Sequence, residues 1–266
     1  MSSSQAQVAL VNMPFSFSKY PSIQLGTLSA LLKAKGIGVE CHHLNVRFAH
    51  KIGIPLYESI CEKRALFGEW LFSYLLFRDN PKRAEYPRVF KPVFEQIARE
   101  SGQPISFFEE MATRTAPQFL TGAMTGIDWG QYKIVGFTST FDQNVASLTM
   151  AKLIKDLYPD VKIVFGGANY DGEMGLEYFR AFPFIDHVVV GEGEVTFPAL
   201  VTHILSGSTG PCPKGVTYRE QGDIRCESNT ALFTEFAQTG PPDYDDYYHL
   251  LAELGRAAQH HQRAGV

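Results

Sequence analysis

Cysteine is scarce in this sequence, and its placement excludes the simplest metal and disulfide sites. The four cysteines, Cys41, Cys61, Cys212 and Cys226, lie far apart in a chain of 266 residues, and none forms a C-x-x-C pair. Structural zinc sites and disulfide-rich folds need closely spaced cysteines. We therefore expect reduced, mostly buried thiols, as in a cytoplasmic protein, and no metal site.

Long apolar runs and an excess of positive charge are also missing. The N-terminus MSSSQAQVALVNMPF lacks a signal-peptide pattern, and no uncharged apolar run reaches the roughly 18 residues of a membrane span. The net charge is −4, whereas nucleic-acid-binding surfaces are basic. The sequence predicts a soluble, intracellular protein that binds neither nucleic acid nor membrane.

The common nucleotide-binding and catalytic motifs are absent as well. The sequence contains no G-x-x-x-x-G-K-[ST], no H-E-x-x-H and no nucleophile elbow. The segment GEGEVT, residues 191–196, lacks the third glycine of G-x-G-x-x-G and follows a late strand instead of the first one. A Walker-type phosphate site is therefore excluded, and a Rossmann dinucleotide fingerprint fits badly.

What the sequence does contain is a regular alternation of apolar strands and amphipathic helices. The predicted strands are QVALVNM, GVECHHLN, YKIVGFTST, VKIVFGG and DHVVVGEGE, and the predicted crossover helices are IQLGTLSALLKAKG, NVASLTMAKLIKDL, GEMGLEYFRAF and VTFPALVTHILSG. Ser22 is the expected N-cap of the first helix, and Gly36 its expected end. This order predicts an α/β fold with a flavodoxin-like, doubly wound, five-stranded parallel sheet.

Three regions of the chain differ in pattern. Residues 1–45 and 131–206 carry the strand–helix alternation and are predicted to form one discontinuous domain. Residues 46–130 are rich in aromatic residues and proline, with helical periodicity in LYESICEKRALFGEWLFSYLLF and RVFKPVFEQIARE, and predict an inserted helical subdomain. Residues 207–266 predict a β-hairpin around Gly222 and a last helix capped by Asp243.

The loops after the predicted strands are unusual. The first, NMPFSFSKYPSIQLG, is long for a βα connection; the third, FTSTFDQN, is rich in hydroxyl groups; the fourth and fifth are GGAN and GEGE. Carboxyl ends of parallel strands meet at one edge of the sheet. The glycine pair is consistent with a tight turn, or with a large ligand that leaves no room for a Cβ atom, and several small-residue loops at one edge favour the ligand.

These segments resemble a known family. The stretches VNMPF…PSIQLGTLSALLKAKGIGVE…N, FTSTFDQNVASL…AKLIKDLYPDVKIVFGGAN and VVVGEGEVTFPALV resemble the N-terminal cobalamin-binding domain of cobalamin-dependent radical SAM enzymes. The inserted LFGEWLF and the terminal PPDYDDYY are similar to the group that matures ribosomally made peptides (RiPPs). GG and GEGE are shared by many cobalamin domains, whereas TSTFDQN with LFGEWLF is more specific.

The resemblance implies a set of cofactor-binding residues, with no catalytic residue and no metal ligand. In that set, loop one and loop three lie against the corrin ring, while the loops after strands four and five lie beside the nucleotide tail. The implied residues are Pro14, Phe15, Ser16, Tyr20, Gln24, Thr138, Ser139, Thr140, Phe141, Asn144, Gly166, Gly167, Ala168, Asn169, Gly191, Glu192 and Gly193.

Two departures from the family pattern matter. The first loop contains no histidine and the chain has no D-x-H-x-x-G, so the resemblance implies cobalamin bound base-off without histidine ligation. The C-x-x-x-C-x-x-C that holds an iron–sulfur cluster is also absent. We therefore expect this chain not to generate a radical by itself, and the iron–sulfur cluster and S-adenosylmethionine to belong to a longer enzyme.

Three functions remain as hypotheses. The first is the cobalamin module of a methyltransferase that uses methylcobalamin, with a radical SAM domain and a peptide substrate as partners. The second is a freestanding, non-catalytic cobalamin carrier or regulatory protein, and the third a flavin- or nucleotide-binding flavodoxin-like protein.

Several conspicuous side chains have a structural interpretation beside a functional one. His42, His43 and His187 are expected to be structural, and Trp70, Phe72, Tyr74 and Phe77 to belong to a helical core instead of contacting a ligand. Glu192 and Glu194 fit helix capping or hydrogen bonds to corrin amides equally well.

Overall fold

A seven-stranded mixed sheet forms the centre of the molecule. The computed structural model describes residues 6–63, 66–226 and 239–263, with the backbone alone for 258–263. The strands are β1 (Val8–Asn12), β2 (Val39–His43), β3 (Ile134–Thr138), β4 (Lys162–Gly166), β5 (His187–Val189), β6 (Val216–Glu220) and β7 (Asp223–Cys226). Their order is β2-β1-β3-β4-β5-β6-β7. The first five are parallel, which confirms the predicted α/β fold.

The C-terminal hairpin is part of this sheet. Strand β6 pairs antiparallel with β5, and β7 with β6. The turn between them places Gln221 and Gly222 at positive φ, as a two-residue hairpin turn requires. The alternation around Gly222 predicted the hairpin, but not the edge of the sheet that it joins.

Twelve α-helices surround the sheet in the described residues. They are α1 (Ile23–Ala34), α2 (Leu44–Ile52), α3 (Ile54–Glu62), α4 (Phe67–Leu76), α5 (Tyr86–Val89), α6 (Lys91–Ser101), α7 (Ile105–Glu110), α8 (Ala116–Gly126), α9 (Asn144–Leu157), α10 (Gly172–Ala181), α11 (Gly193–Leu205) and α12 (Asp245–Arg263). A π-helical segment, Met111–Thr115, joins α7 to α8. None of the described helices has the length and apolarity needed to cross a bilayer.

The two faces of the sheet bury different cores because strand residues alternate between them. On one face, Leu10 and Val164 pack with residues of α1 and α11, such as Leu25 and Phe197. On the other face, the strands pack against α9, α10 and the helices between β2 and β3. The helices are thus distributed over both faces, as a doubly wound fold requires.

The insertion between β2 and β3 differs in detail from the sequence pattern. The segment LYESICEKRALFGEWLFSYLLF contains helix α4 and most of α3, and residues 105–126, for which no individual helix was predicted, are helical as well. The insertion shares one buried core with the sheet, and the predicted boundary at residues 45/46 falls inside α2. The division into domains stays a prediction.

Local signals set several helix ends. Ser22 Oγ accepts a hydrogen bond from Leu25 N at 3.3 Å, and Gly36 adopts φ 73° just beyond α1, so both predicted ends of that helix are confirmed. All four cysteines are free, but Cys226 is exposed and the other three are half-buried. The prediction of mostly buried thiols is therefore wrong, because Cys226 lies on the outermost strand, β7.

Candidate functional site

The carboxyl ends of the parallel strands meet at one edge of the sheet. In register, Asn12 lies beside Thr138, and Thr138 beside Gly166. The loops that follow β1, β3 and β4 therefore start side by side. Residues 190–192 follow β5 at the same edge. The glycine-rich and hydroxyl-rich segments thus converge along one rim.

A cavity of about 220 Å³ opens at this rim, between α1, α11 and the sheet. It brings together seven of the seventeen predicted site residues, namely Gln24, Thr138, Gly166, Gly167, Gly191, Glu192 and Gly193. The other residues that line it are Leu10, Leu25, Leu28, Gly136, Phe137, Val164, Phe165, Val189, Glu194 and Phe197. The site therefore combines loop residues that were predicted from the sequence with apolar side chains that were not predicted.

Gly136 lines this cavity beside the side chains of Leu10 and Phe197. It lies in the middle of β3, between Leu10 on β1 and Val164 on β4. A Cβ atom added there would lie 3.1 Å from Leu10 Cδ2 and 3.4 Å from Phe197 Cζ, so a side chain would enter the space between the sheet and α11. Gly136 is not among the predicted site residues, although a glycine inside a strand marks a place where another group approaches closely.

The two glycines after β4 differ in their structural requirements. Gly167 has φ 93°, and a Cβ atom there would lie 2.7 Å from Ser139 O. The turn itself thus excludes a side chain at Gly167. At Gly166, an added Cβ atom would meet its nearest neighbour, Val189 O, at an ordinary 3.6 Å. None of the described residues excludes a side chain at Gly166, which faces the cavity.

The loops after β3 and β4 hold each other in place. Asn169 Nδ2 donates to Ser139 Oγ at 3.0 Å and to Phe141 O at 2.9 Å, and Asn169 N donates to Ser139 O at 3.1 Å. Phe141 has φ 49° and is 73% exposed. These bonds maintain a strained backbone conformation that presents an aromatic ring at the rim.

Loop one is fixed by polar contacts from three directions. Gln143 Nε2 donates to Asn12 Oδ1 at 2.7 Å, and Tyr57 Oη donates to Ser16 O at 2.7 Å. Ser18 Oγ donates to the buried Glu58 Oε1 at 2.6 Å. Tyr247 Oη of α12 donates to Ser18 O at 2.9 Å. The insertion, loop three and the C-terminal helix therefore all determine the path of loop one.

A pair of buried carboxylates links the two most specific sequence motifs. Glu69 of LFGEWLF accepts from Asn144 N at 3.0 Å and from Val145 N at 2.5 Å, at the start of α9. In return, Asp142 of TSTFDQN accepts from Gly68 N at 3.3 Å, at the start of α4. Each helix thus receives its N-terminal cap from the other segment. Burial raises the pKa of Glu69 to about 7 and also raises the pKa of Asp142.

The remaining predicted residues lie outside the cavity lining. Phe15 is buried and stacks on Tyr57 with ring centroids 4.9 Å apart, and Tyr20 is 72% exposed. Asn144 is buried and accepts from Tyr170 Oη at 2.9 Å. The full set outside the lining is Pro14, Phe15, Ser16, Tyr20, Ser139, Thr140, Phe141, Asn144, Ala168 and Asn169. Their contact with a cofactor stays a prediction.

Two of the three conspicuous histidines make side-chain contacts within the protein, and His187 Nδ1 is buried without a hydrogen-bond partner among the described residues. A ring nitrogen of His42 lies 2.9 Å from Tyr132 Oη, and the His43 ring packs edge-on against Tyr247. Burial lowers the pKa of His42, His43 and His187 to about 4. None of the three is among the residues that line the cavity. Across the described residues, no cluster of His, Cys, Asp and Glu side chains could hold a metal ion.

Parts of this chain are similar in sequence to methyltransferases. No family model matches the chain. Over 112 residues, 42% of this chain, it is 35% identical to the uncharacterized methyltransferase PH0819 of Pyrococcus horikoshii, of which the match covers 24%. Over 59 residues, 22% of this chain, it is 39% identical to the cobalamin-dependent radical SAM methyltransferase TokK of Streptomyces tokunonensis, of which the match covers 8%. The chain thus spans a quarter or less of these relatives.

Two solved structures show a distant similarity. Both are of the radical S-adenosylmethionine methyltransferase TsrM from Kitasatospora setae. One contains cobalamin and a [4Fe-4S] cluster; it aligns with 89% of this chain and 31% of that chain, at 16% identity and a TM-score of 0.46. The other contains tryptophan and a SAM analogue; it aligns with 92% of this chain and 37% of that chain, at 16% identity and a TM-score of 0.48.

Proposed function

We propose that this chain is the cobalamin-binding module of a cobalamin-dependent radical SAM methyltransferase. The observation that carries the proposal is the cavity between α1, α11 and the sheet, at the edge where ligands of doubly wound sheets bind. The sequence relationships to PH0819 and TokK support a role related to methyl transfer. When bound, methylcobalamin would supply the methyl group.

The residues of the site fit a corrinoid whose nucleotide base has left the cobalt. An apolar cavity of about 150 Å³ takes up a benzene ring, and the cavity here, at about 220 Å³, is large enough for a bicyclic base. Leu10, Leu25, Val164 and Phe197 would contact the faces of the base. Gly166 and Gly193 would let the backbone approach the tail closely, because neither carries a side chain.

The corrin ring would lie above the rim, against the segments that the protein holds in place with its own hydrogen bonds. Thr138 lines the mouth of the cavity, and Phe17, Tyr20 and Phe141 are exposed beside it. A preorganised rim lowers the entropy that binding costs. Because loop one contains no histidine and the sequence has no D-x-H-x-x-G, the proposal includes base-off binding without histidine ligation.

The substrate and the other cofactors are proposed from the sequence resemblance and from the missing cysteine motif. The LFGEWLF insert resembles the group that acts on ribosomally made peptides, so we propose a peptide natural product as the methyl acceptor. An iron–sulfur cluster and S-adenosylmethionine would be held by a radical SAM domain, because this sequence lacks the C-x-x-x-C-x-x-C motif. A cytoplasmic location is part of the same proposal.

A freestanding, non-catalytic cobalamin carrier is the second candidate, and the missing cysteine motif is the observation that favours it. The coding sequence downstream separates the two: an open reading frame that continues into three closely spaced cysteines supports the enzyme module. A flavodoxin-like role is less well supported, because loop one lacks the compact Ser/Thr-rich phosphate loop that flavodoxins use to bind flavin.

Uptake of cofactor by the purified chain tests the proposal. The protein is incubated with hydroxocobalamin, and separately with flavin mononucleotide, and is then desalted before its visible spectrum is recorded. We expect about one corrinoid per chain to remain with the protein, and no flavin. A spectrum without retained corrinoid would rule out the first two candidates, and retained flavin would favour the third.

A further inference from the structure

The cavity has an apolar lower part and a polar mouth, as the strand register shows. Leu10, Gly136 and Val164 form one row across β1, β3 and β4. Thr138 and Gly166 form a second row, two residues nearer to the rim. The two rows are therefore about 6.6 Å apart along the strands. A flat bicyclic ring that stood upright in the cavity would span this distance.

The polar side chains that line the cavity lie at its mouth. They are Gln24 at the start of α1, Thr138 at the end of β3, and Glu192 and Glu194 at the start of α11. Below them, the walls are Leu25 and Leu28 of α1 and Phe197 of α11, all apolar. The backbone amides of β1, β3 and β4 are paired in the parallel ladder. A ring in the lower part therefore meets no side-chain hydrogen-bonding partner.

This difference matters because corrinoids carry different lower bases. The benzimidazole of cobalamin has a carbon edge with methyl groups, which needs no hydrogen-bonding partner. Adenine, the base of pseudocobalamin, presents an exocyclic amine and ring nitrogens at the corresponding edge. Burying such polar groups without partners is costly.

We propose that this cavity selects corrinoids by their lower base and accepts benzimidazole in preference to purine. The inference rests on the proposed function, because it assigns the ligand class of the same cavity. It assigns a specificity-determining role to Gly136, where an added Cβ atom would press on Leu10 Cδ2 at 3.1 Å and Phe197 Cζ at 3.4 Å and so push these apolar walls toward the base. Leu28 and Phe197 form the apolar walls on either side.

Equilibrium dialysis of the full chain against three corrinoids tests this selectivity. The ligands are cobalamin, pseudocobalamin and cobinamide, which has no nucleotide base, each measured by its visible absorption. We expect pseudocobalamin to bind about tenfold more weakly than cobalamin, or weaker still, and cobinamide also to bind more weakly than cobalamin. Equal or tighter binding of pseudocobalamin would overturn the selectivity, and equal binding of cobinamide would show that the cavity does not hold the base. If none of the three binds, the proposed function itself fails.

Variants in the lower part of the cavity separate base recognition from corrin recognition. Gly136→Ala should weaken cobalamin about tenfold or more while cobinamide binding stays unchanged. Gly122→Ala on α8, where an added Cβ atom has open space, is the matched control and should change neither. If circular dichroism shows Gly136→Ala to be unfolded, Leu28→Phe fills the cavity from α1 and should give the same pattern. Equal loss of both ligands, or of neither, in the folded variant would contradict the role of the cavity.

Discussion

At the level of single residues, Gly166 and Gly167 are glycines for different reasons. The sequence left a tight turn and a close ligand as alternatives for the pair. The structure assigns the turn to Gly167, which has φ 93° and lies close to the Ser139 backbone. Gly166 faces the cavity without a steric conflict among the described residues, and the proposed ligand would account for its missing side chain.

Substituting each of the two glycines by alanine should separate these reasons. Gly167→Ala should lower the free energy of unfolding by about 1–3 kcal/mol, because both the positive φ and the Ser139 contact oppose a Cβ atom. Gly166→Ala should change stability by less than about 1 kcal/mol but weaken cobalamin binding. Urea unfolding and dialysis measure the two effects. A stable Gly167→Ala variant, or a Gly166→Ala variant that binds like the wild type, would contradict this account.

Glu69 should make stability depend on pH near neutrality. Burial raises its folded-state pKa to about 7, whereas an unfolded glutamate titrates near 4.3, at roughly its ordinary value. Between these values only the folded state holds the proton, so stability falls as pH rises. From about pH 6 to about pH 8, the wild type should lose about 1 kcal/mol relative to Glu69→Gln.

Chemical denaturation of both proteins at the two pH values measures this relative change. Glu109→Gln, which alters an exposed carboxylate on α7, is the matched control and should track the wild type. If the difference between wild type and Glu69→Gln were independent of pH, the buried carboxylate would not be titrating in this range.

At the level of elements, α12 is attached to the edge of the sheet. Asp243 precedes this helix and accepts from Ser29 Oγ at 2.6 Å and from Lys33 Nζ at 2.5 Å, both on α1. Asp246 Oδ2 accepts from Cys41 N at 2.8 Å on the edge strand β2. These contacts cover an otherwise unpaired strand edge. The acidic PPDYDDYY segment therefore contributes to the packing of this part of the molecule.

Removing the Asp243 carboxylate should loosen this attachment. Asp243→Ala should lower the free energy of unfolding by about 1–2 kcal/mol, because Ser29 loses a buried partner and Lys33 its ion pair. Asp245→Ala, an exposed acid on the first turn of the same helix, is the control and should cost less. Limited proteolysis reports on the helix itself: earlier cleavage within α12 is expected for Asp243→Ala, and an unchanged cleavage pattern would contradict the docking role.

At the level of the whole molecule, buried histidines should make the protein sensitive to acid. Burial lowers the pKa of His42, His43 and His187 to about 4, below the roughly 6.5 of an unfolded histidine. Between these values the unfolded chain binds more protons, so stability falls as pH falls. Each histidine contributes up to about 1.4 kcal/mol per pH unit, and together they outweigh the opposite effect of Glu69.

Urea unfolding at about pH 7, 6 and 5 checks the acid effect, with the midpoint expected to fall at each step. His42→Gln should flatten the pH dependence by more than a third, because two titrating histidines remain while the opposite effect of Glu69 is unchanged. A midpoint that is constant or rises toward pH 5 would show that these histidines are protonated in the folded state.

Features of the fold that depend on neighbouring residues could be predicted from the sequence, whereas features that depend on contacts between distant segments could not. Local signals predicted the five parallel strands, the N-cap at Ser22 and the helix of residues 144–157, because strand periodicity and capping act over a few residues. The hairpin's place at the edge of the sheet and the exchange of caps between Glu69 and Asp142 depend on contacts between distant segments, and no local pattern reports them. The lower part of the cavity was missed because Leu10, Leu25 and Phe197 are, one by one, indistinguishable from ordinary core residues.

The electron paramagnetic resonance spectrum of the chain loaded with cobalamin and reduced to cob(II)alamin tests the central claim most directly. If the cavity holds the nucleotide base and no histidine replaces it, the cobalt signal should show no nitrogen superhyperfine splitting. A spectrum with nitrogen splitting would mean that a base or a histidine is on the cobalt, and would contradict the account of this cavity.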